Sequence, residues 1–346
     1  MKQYATLKDV AKLAGTTAAT VSYVLNKKEG RYISGETMSK VLKAAEELDY
    51  IKCGGASSLK GKARKLISIL VPQFENQFFT RIIVGAEKVF VKHGYDIVIC
   101  NTFDSPQRES EVIRRMLQQR VDGILLSPTT EGFNNTAVLR RLGVKMVAVD
   151  RPLQGGNSGD FYWATTNNYE SGYKGASYLM EKGHRKIAYI GWESNIDDLN
   201  RRQQAVLDVA QKFGIPEDGI VVKVGEISAE EGWRLTASVL DEMPDVSAFF
   251  YGFNRQALGG IKCLLSCGID IPKEKSVIII GSPEWALGGR NNFTHVDMRE
   301  YELGESAAKL LMDLLRNPDA EYEKHIIHKC SLVEGDSVKD LNCEVL

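Results

Sequence analysis

Residues 6–50 read TLKDVAKLAGTTAATVSYVLNKKEGRYISGETMSKVLKAAEELDY and decide what the N-terminal part of this chain is. Thr6, followed three residues later by Asp9, predicts a capped helix start, and Gly15 predicts the end of that helix. Thr17 predicts the cap of a second helix, because apolar residues at helical spacing follow it. Two short helices joined by a tight turn are the arrangement that places the second helix in the DNA major groove.

A third helix is predicted to begin after Ser34, where Thr37 follows three residues later. The second helix would bury one apolar face formed by Val21, Val24 and Leu25. The third would bury Met38, Val41, Leu42, Ala45 and Leu48. Three short amphipathic helices can share one small core.

Charge is distributed unevenly along the chain. Residues 1–65 carry 13 lysines and arginines against 6 acidic residues, whereas the rest carries 31 against 39. The whole chain has a formal net charge of −1. A basic N-terminal part on an acidic remainder indicates that the N-terminal part meets a polyanion.

From Leu66 onward, short β-branched runs alternate with segments long enough for one helix each. The runs are ISILV (67–71), DIVIC (96–100), GILLS (123–127), KMVAV (145–149), KIAYIG (186–191), IVVKV (220–224), SAFFY (247–251) and SVIIIG (276–281). Continuous apolar strands are buried on both faces, which is typical of parallel, doubly wound sheets. Eight strands exceed one six-stranded sheet, so we predict two α/β lobes.

The N-terminal stretch closely resembles the heads of the lactose-repressor and galactose-repressor (LacI/GalR) family of bacterial regulators. The matching motifs are T-L-K-D-V-A-K-L-A-G (6–15), T-x-x-T-V-S-x-V-L-N (17–26), I-S-x-x-T (33–37) and K-V-L-K-A-A-E-E-L (40–48). Further stretches match the family's body more loosely, among them V-P-x-x-x-N-x-F-F (71–79), V-D-G-I-L-L (121–126) and E-L-G-E-S-A-A-K-L-L (302–311). The resemblance implies an all-α helix-turn-helix head and an α/β two-lobed body similar to periplasmic sugar-binding proteins.

The implied organisation has three parts. These are a DNA-binding head (1–50), a hinge (51–65) and a ligand-sensing and dimerisation body (66–346). Within the body, we expect an N-lobe of about 66–164 plus 294–324 and a C-lobe of about 165–293 plus 325–346. The expected function is a sequence-specific transcriptional regulator, most simply a repressor, whose operator affinity responds to a small molecule bound between the lobes.

The resemblance assigns DNA contacts to the head. The residues concerned are Thr6, Thr17, Ala18, Ala19, Thr20, Ser22, Tyr23, Asn26 and Thr37. Ala18 and Ala19 stand where many members carry long polar side chains, and Tyr23 stands where an arginine is common. Alanine methyls donate no hydrogen bonds, so we hypothesise weaker reading of bases and more reliance on phosphates and DNA shape. Alternatively, the alanines are plain helix formers and Tyr23 packs on the head.

In the hinge, A-S-S-L (56–59) matches the motif with which the family enters the minor groove. Ala56 and Leu59 are therefore expected at the DNA, with Leu59 inserted as an apolar wedge that bends the duplex. Gly54 and Gly55 disfavour a hinge helix by about 1 kcal/mol each relative to alanine. Alternatively, Leu59 packs on the body.

Ligands of open α/β sheets bind beyond the carboxyl ends of strands. The family's effector positions here are Phe78, Phe79, Asp150, Arg202, Phe253 and Pro283. Alternatively, the two phenylalanines at 78–79 are core, Asp150 is a cap or ion pair, and Arg202 braces the lobes. Most members have Asn-Asp at 253–254 and an aromatic residue followed by Asp at 282–283, whose polar side chains usually bind sugar hydroxyls. Phe253 and Pro283 cannot form such hydrogen bonds. Trp192 and Trp285 also lie nearby in sequence, so the effector is expected to be a sugar or a less hydroxylated metabolite.

Other classes fit poorly. The sequence contains no HExxH, Walker A, G-x-G-x-x-G after the first body strand or G-x-S-x-G motif, so we expect no enzyme, no cofactor and no metal. The six cysteines form no CxxC pair and are interpreted as reduced structural thiols. The N-terminus has no signal-like apolar segment, which disfavours a secreted transport protein and predicts a cytoplasmic, nucleoid-associated protein. The expected partners are palindromic double-stranded DNA, a small effector and a second copy of the chain, with no membrane.

Overall fold

The structure is a computed structural model that describes residues 5–25, 32–48, 50, 63–155, 161–192, 197–287 and 292–342. The chain divides into two compact units, residues 1–64 and 65–346, which we call the head and the body. Among the described residues, no helix combines the length and apolarity needed to cross a membrane.

The head contains the three helices that the sequence predicts. They are α1 (Leu7–Leu13), α2 (Ala18–Leu25) and α3 (Gly35–Glu47). Thr6 caps α1 in a capping box with Asp9, as expected from their spacing. Gly15 ends the first helix with φ +65°, a left-handed conformation that glycine adopts without strain. Val10, Val21 and Val41, one from each helix, are fully buried together at the centre of the head.

The predicted apolar face of α3 is wrong in part. Val41 and Ala44 are buried, whereas Met38 and Leu42 are exposed. The two helices α1 and α2 are short, so they cover a narrower stripe of α3 than the sequence pattern suggested. Leu42 keeps 51% of its surface exposed.

The body contains two six-stranded sheets. The strands are β1 (Leu66–Val71), β2 (Asp96–Asn101), β3 (Gly123–Leu126), β4 (Lys145–Val149), β5 (Trp163–Thr166), β6 (Ile187–Gly191), β7 (Ile220–Val224), β8 (Ala248–Tyr251), β9 (Ser276–Ile280), β10 (Thr294–Asp297), β11 (His325–His328) and β12 (Ser331–Val333). Their orders are β11-β5-β4-β3-β1-β2 in the N-lobe sheet and β12-β10-β9-β8-β6-β7 in the C-lobe sheet. All eight predicted strands are confirmed, and all pairs are parallel except β10–β12.

The helices of the body cover both faces of each sheet. They are α4 (Gln77–Lys92), α5 (Pro106–Gln118), α6 (Gly132–Asn135), α7 (Ala137–Leu142), α8 (Asn168–Glu181), α9 (Asp197–Lys212), α10 (Ala229–Glu242), α11 (Asn254–Ser266) and α12 (Glu300–Arg316). In the N-lobe, α4 and α12 pack on one face of the sheet, and α5 and α7 contribute to the core on the other. A Cβ on Gly85 of α4 would lie 2.1 Å from the Tyr301 carbonyl oxygen of α12, so glycine allows this close helix pair.

The predicted lobe boundaries are wrong for two strands. Residues 294–324 were assigned to the N-lobe, yet β10 pairs in parallel with β9 of the C-lobe sheet. Residues 325–346 were assigned to the C-lobe, yet β11 pairs in parallel with β5 of the N-lobe sheet. The chain therefore crosses between the lobes after β5, between β10 and α12, and between β11 and β12. These strands have three or four residues each, and pairing with distant strands sets the sheet that they join, which periodicity does not reveal.

Candidate functional site

The recognition helix α2 has an inner and an outer face. Val21 and Val24 point into the head's core, and Ala18 packs against the same cluster. Ala19 is exposed. On a helix, residues 19, 22 and 23 share a face because they are three and four positions apart. Ala19, Ser22 and Tyr23 therefore form the outer face, and Ala18 lies on the inner edge of α2.

The threonines that were expected at phosphates also fix the helix starts. Thr17 Oγ1 accepts a hydrogen bond from the Thr20 backbone N–H at 3.2 Å, and its hydroxyl lies 3.0 Å from that of Thr20. Thr6 makes the equivalent capping interaction, and Thr37 bonds to Ser34, the cap of α3. Asn26, Ala56 and Leu59 lie outside the described residues, as does most of the hinge.

A cavity of about 640 Å³ lies in the body between the two lobes. It lies at the carboxyl ends of the strands, where ligands of open sheets bind. Five of the six predicted effector residues line it: Phe78, Phe79, Asp150, Arg202 and Phe253. Phe79 is also a member of the N-lobe core and keeps only 5% of its surface exposed, so this residue belongs to the core and lines the cavity as well, while its contact with an effector stays a prediction.

Asp150 lies at the N-lobe end of the cavity, directly after β4. It is 7% exposed and has φ +70°, an uncommon conformation for a residue other than glycine. Its Oδ2 lies 3.5 Å from the Ser127 hydroxyl and 3.4 Å from Arg151 Nε. Burial raises the pKa of Asp150 to about 6, although Arg151 and Arg202 oppose that shift. Within the described structure, both contacts use Oδ2, which leaves Oδ1 for a ligand.

Arg202 enters the cavity from α9 of the C-lobe and is 4% exposed. Its Nε donates to Asn168 Oδ1 at 2.8 Å, and its Nη1 donates to the Gly252 carbonyl at 2.7 Å. Both partners belong to the C-lobe, so this arginine is braced within its own lobe. Its guanidinium lies 4.7 Å from the centre of the Phe253 ring. Because these two hydrogen bonds hold the guanidinium in place, its Nη2 is a preorganised donor for an acceptor on a ligand.

Aromatic side chains and arginines alternate along one wall of the cavity. The Trp192 and Phe253 rings pack edge to face with centroids 6.2 Å apart. Arg151 extends from the N-lobe to within 5.9 Å of the Trp192 ring, and its Nη1 donates to Asp104 at 2.6 Å. Flat rings backed by cations suit a ligand with a flat face.

Pro283, an expected effector residue, and Trp285, which is near it in sequence, lie outside the cavity lining. Pro283 is buried and does not line the cavity. It precedes a short 3₁₀ turn at Glu284–Ala286. Trp285, in that turn, packs against Phe293 and also does not line the cavity. Pro283 therefore does not share the cavity with the other expected effector residues, because the loop after β9 turns it into the lobe, and its contact with an effector stays a prediction.

Sequence reasoning missed several cavity residues. Phe103 and Asp104 follow the carboxyl end of β2, and both adopt positive φ. Phe103 is 69% exposed. Asn76 and Asn254 also line the cavity, one from each lobe. The rule that ligands bind beyond strand ends would have found Phe103 and Asp104, because they follow a strand that was predicted.

The described residues contain no group of three histidine, cysteine or acidic side chains placed to hold a metal ion. Cys100, Cys263, Cys267 and Cys330 are free thiols. Burial raises the pKa of the Cys330 thiol to about 12, which makes this group a poor nucleophile at neutral pH.

Comparisons with known proteins agree with this architecture. The model of the bacterial regulatory proteins of the lacI family matches residues 6–52, and the model of a periplasmic binding protein-like domain matches residues 176–338. The HTH-type transcriptional repressor PurR of Vibrio atlanticus (strain LGP32) is 31% identical over 341 residues, covering 98% of this chain and 100% of that protein.

Solved structures show the same fold. A LacI-family transcriptional regulator from Silicibacter pomeroyi superposes with a TM-score of 0.82 at 25% identity, covering 97% of this chain and 99% of that one. The lac repressor dimer bound to operator and the anti-inducer ONPF has a TM-score of 0.81 at 21% identity, covering 97% and 100%.

A helix-turn-helix head and a two-lobed, periplasmic-binding-protein-like body in one chain define the class of effector-responsive DNA-binding regulators. The chain belongs to the LacI family of bacterial transcriptional regulators. It is a transcriptional regulator and not an enzyme.

Proposed function

We propose that this regulator binds a palindromic operator as a homodimer and represses the adjacent promoter. The head (1–50) would place α2 in the major groove, the hinge (51–65) would bend the duplex, and the body from residue 66 onward would sense the effector. The observation that supports the DNA-binding role is the outer face of α2. Ala19, Ser22 and Tyr23 share that face, while Val21 and Val24 hold the helix on the core.

This outer face supports a particular style of recognition. Ala19 offers only a methyl group, which suits contact with a thymine methyl. Tyr23 offers one hydroxyl rather than an arginine fork. Thr17 and Thr37 lie beside helix starts, where backbone N–H groups favour phosphate. Most of the affinity would then come from phosphate contacts, and sequence preference would depend strongly on DNA shape.

The cleft supports an effector with a flat face and a hydrogen-bonding edge. Phe253 and Trp192 offer ring surfaces, while Asp150 and Arg202 offer an acceptor and a donor at the buried end. Asn-Asp, the pair with which most members bind sugar hydroxyls, is absent at 253–254. A planar metabolite with few hydroxyl groups is therefore the better fit, although a sugar stacked on these rings uses the same chemistry.

The homodimer is supported by apolar side chains on one face of the C-lobe. Leu258 and Leu265 are 45% and 59% exposed and lie two turns apart on the same side of α11. Trp233 of the neighbouring α10 is exposed as well. A second copy of the chain is the occupant that fits, because a palindrome presents two equal half-sites and an isologous contact pairs like surfaces.

Repression is the simpler mode of action, because a bound dimer blocks a promoter without a further surface. The relative from Vibrio atlanticus is itself a transcriptional repressor. A regulator that works on bacterial operators acts at the nucleoid, in the cytoplasm. Whether the effector releases or strengthens DNA binding depends on the direction of the coupling between the two sites.

The test is a selection of duplexes from a random library by the full chain at moderate salt. We expect a palindrome whose half-sites lie about one helical turn apart. Tyr23→Ala should weaken binding to the selected duplex by about tenfold or less, since one hydroxyl and one ring are lost. Glu46→Ala, an exposed change elsewhere on the head, is the matched control and should leave binding nearly unchanged. Enrichment of no palindrome would refute the proposal.

A further inference from the structure

The start of α4, which belongs to the N-lobe, is bonded to the C-lobe by two successive side chains. Asn254 Nδ2, in the first turn of α11, donates to Asn76 Oδ1 at 3.2 Å. The Glu284 backbone N–H donates to Gln77 Oε1 at 2.9 Å. The next residue, Phe78, packs against the cores of both lobes. Residues 76–78 thus contact the C-lobe through two hydrogen bonds and one ring.

The direction of the Asn76–Asn254 hydrogen bond is fixed by the local structure. Asn76 caps α4, and its Oδ1 accepts from the Phe78 backbone N–H at 3.1 Å. This capping bond identifies the atom of Asn76 that faces Asn254 as an oxygen, since an amide nitrogen could not accept there. Asn254 must therefore present its amide nitrogen, and a carboxylate at position 254 could not make the bond.

We propose that Asn254 is a positioning residue that holds the two lobes together by donating to Asn76. Most family members carry aspartate at this position, where it usually binds ligand hydroxyls. The change from carboxylate to amide replaces an acceptor with a donor, and here that donor bonds to the opposite lobe. The amide links residues 178 positions apart in sequence, and the Gln77–Glu284 contact adds a second link at the same edge of the cavity.

The consequence concerns regulation. This inference rests on the proposed function in one respect, namely that closure of the lobes sets the geometry of the heads. A hydrogen bond within the protein that favours the closed lobes reduces the free energy of closure that effector binding must supply. The effector would then bind more tightly and shift the equilibrium between open and closed lobes less. The link itself can be tested without DNA or effector, so its failure and the failure of the proposed function are distinguishable.

The test compares two isosteric changes that add the same charge on opposite sides of one hydrogen bond. Asn254→Asp removes the donor and places a carboxylate against Asn76 Oδ1. Asn76→Asp keeps an acceptor for both Asn254 and the Phe78 N–H, and aspartate is an equally good helix cap. The reporter is hydrogen exchange at the Glu284 amide of the full chain, because separation of the lobes breaks its bond to Gln77.

We expect Asn254→Asp to speed exchange at Glu284 by about fivefold, the effect of losing one typical hydrogen bond. Asn76→Asp should leave the exchange rate within about twofold of the unmodified chain. Exchange in the fully buried strand β9 serves as an internal measure of folding and should not change in either variant. Equal acceleration by both variants would show that added charge alone opens the cleft, and no acceleration by Asn254→Asp would show that the bond does not hold the lobes. Either result overturns the proposal.

Discussion

The head and the cleft are built in opposite ways. In the head, each predicted cap pairs residues three positions apart, as Thr6 does with Asp9 and Ser34 with Thr37. In the cleft, Asp150, Arg202 and Phe253 come from three distant segments, and their neighbours Trp192 and Asn76 come from two more. The head follows the family's sequence pattern closely, whereas the cleft departs from it at the residues that would touch a ligand.

The contrast shows which part of a regulator of this kind is free to vary in sequence. Local caps and a small shared core leave little freedom in the head, since most of its apolar residues serve the core. The cleft walls are side chains that follow strand ends or lie near the starts of the helices after them, and the sheets hold these segments in place whatever the side chain. We therefore expect phenylalanine at position 253, in place of the family's polar residue, to alter which ligand is bound and not the fold.

The largest expected effect tests whether the core of the head is required for DNA binding but not for the stability of the body. Val21→Asp would bury a carboxylate at a site with no exposed surface, at a cost of about 4 kcal/mol or more, which a small three-helix core cannot absorb. We expect DNA binding to disappear while the thermal transition of the body stays unchanged. Calorimetry and a duplex-binding assay on the full chain check both; retained DNA binding would mean that the core is not required.

In the cleft, Arg202→Ala should be the most damaging single change. It removes two donors and leaves Asn168 and the Gly252 carbonyl without a partner in a buried site. We expect a loss of about 2–4 kcal/mol of stability in the body and no measurable effector binding. Arg255→Ala is the control, since Arg255 lines the cavity but is only partly buried. Equal losses in both variants would remove the special role of Arg202.

Asp150→Asn tests the buried acid. The pKa of Asp150 is about 6 in the folded chain against 3.8 as the ordinary value. The folded state therefore binds this proton more tightly, and the charged form costs stability at neutral pH. The variant should be more stable than the parent at pH 7.5 by on the order of 2 kcal/mol, with the difference shrinking as the pH falls through 6 towards 4. Thermal melts across this range check the prediction, and a pH-independent difference would contradict it.

The smallest expected effect concerns the class of ligand that the cleft prefers. Phe253→Asn restores the residue that most family members carry and removes the ring between Trp192 and Arg202. We expect weaker binding of flat metabolites and stronger binding of sugars, each by about 1 kcal/mol. Thermal-shift titrations with one sugar panel and one aromatic panel measure the change. Parallel shifts in both panels would mean that Phe253 does not select between them.

The contrast between local and long-range contacts also explains which parts of the fold could be predicted from the sequence. The helices of the head and the eight predicted strands have local signals, such as caps and continuous apolar runs, and the structure contains all of them. The short strand β10 has no such signal, and its place in the C-lobe sheet is set by pairing with β9. The crossing points between the lobes therefore could not be predicted from the sequence.

Cavity-lining residues could be anticipated from the sequence where strand ends could be identified, whereas their contact with an effector stays a prediction. Asp150 and Phe253 line the cavity because they lie one and two residues after the ends of β4 and β8. Pro283 also follows a predicted strand, but the turn after β9 carries it away from the cavity, and no sequence pattern fixes the direction of such a turn. The Asn76–Asn254 bond joins the starts of two helices from different lobes, and only the three-dimensional arrangement reveals that contact.

The central claim is that one chain couples the cleft to DNA. The most direct measurement is the dissociation constant for the selected operator with and without a saturating cleft ligand, in the unmodified chain and in Arg202→Ala. We expect a shift of about 5- to 150-fold in the unmodified chain, the usual range of such couplings, and no shift in the variant. An operator affinity that ignores the ligand, or a shift that persists in Arg202→Ala, would contradict it.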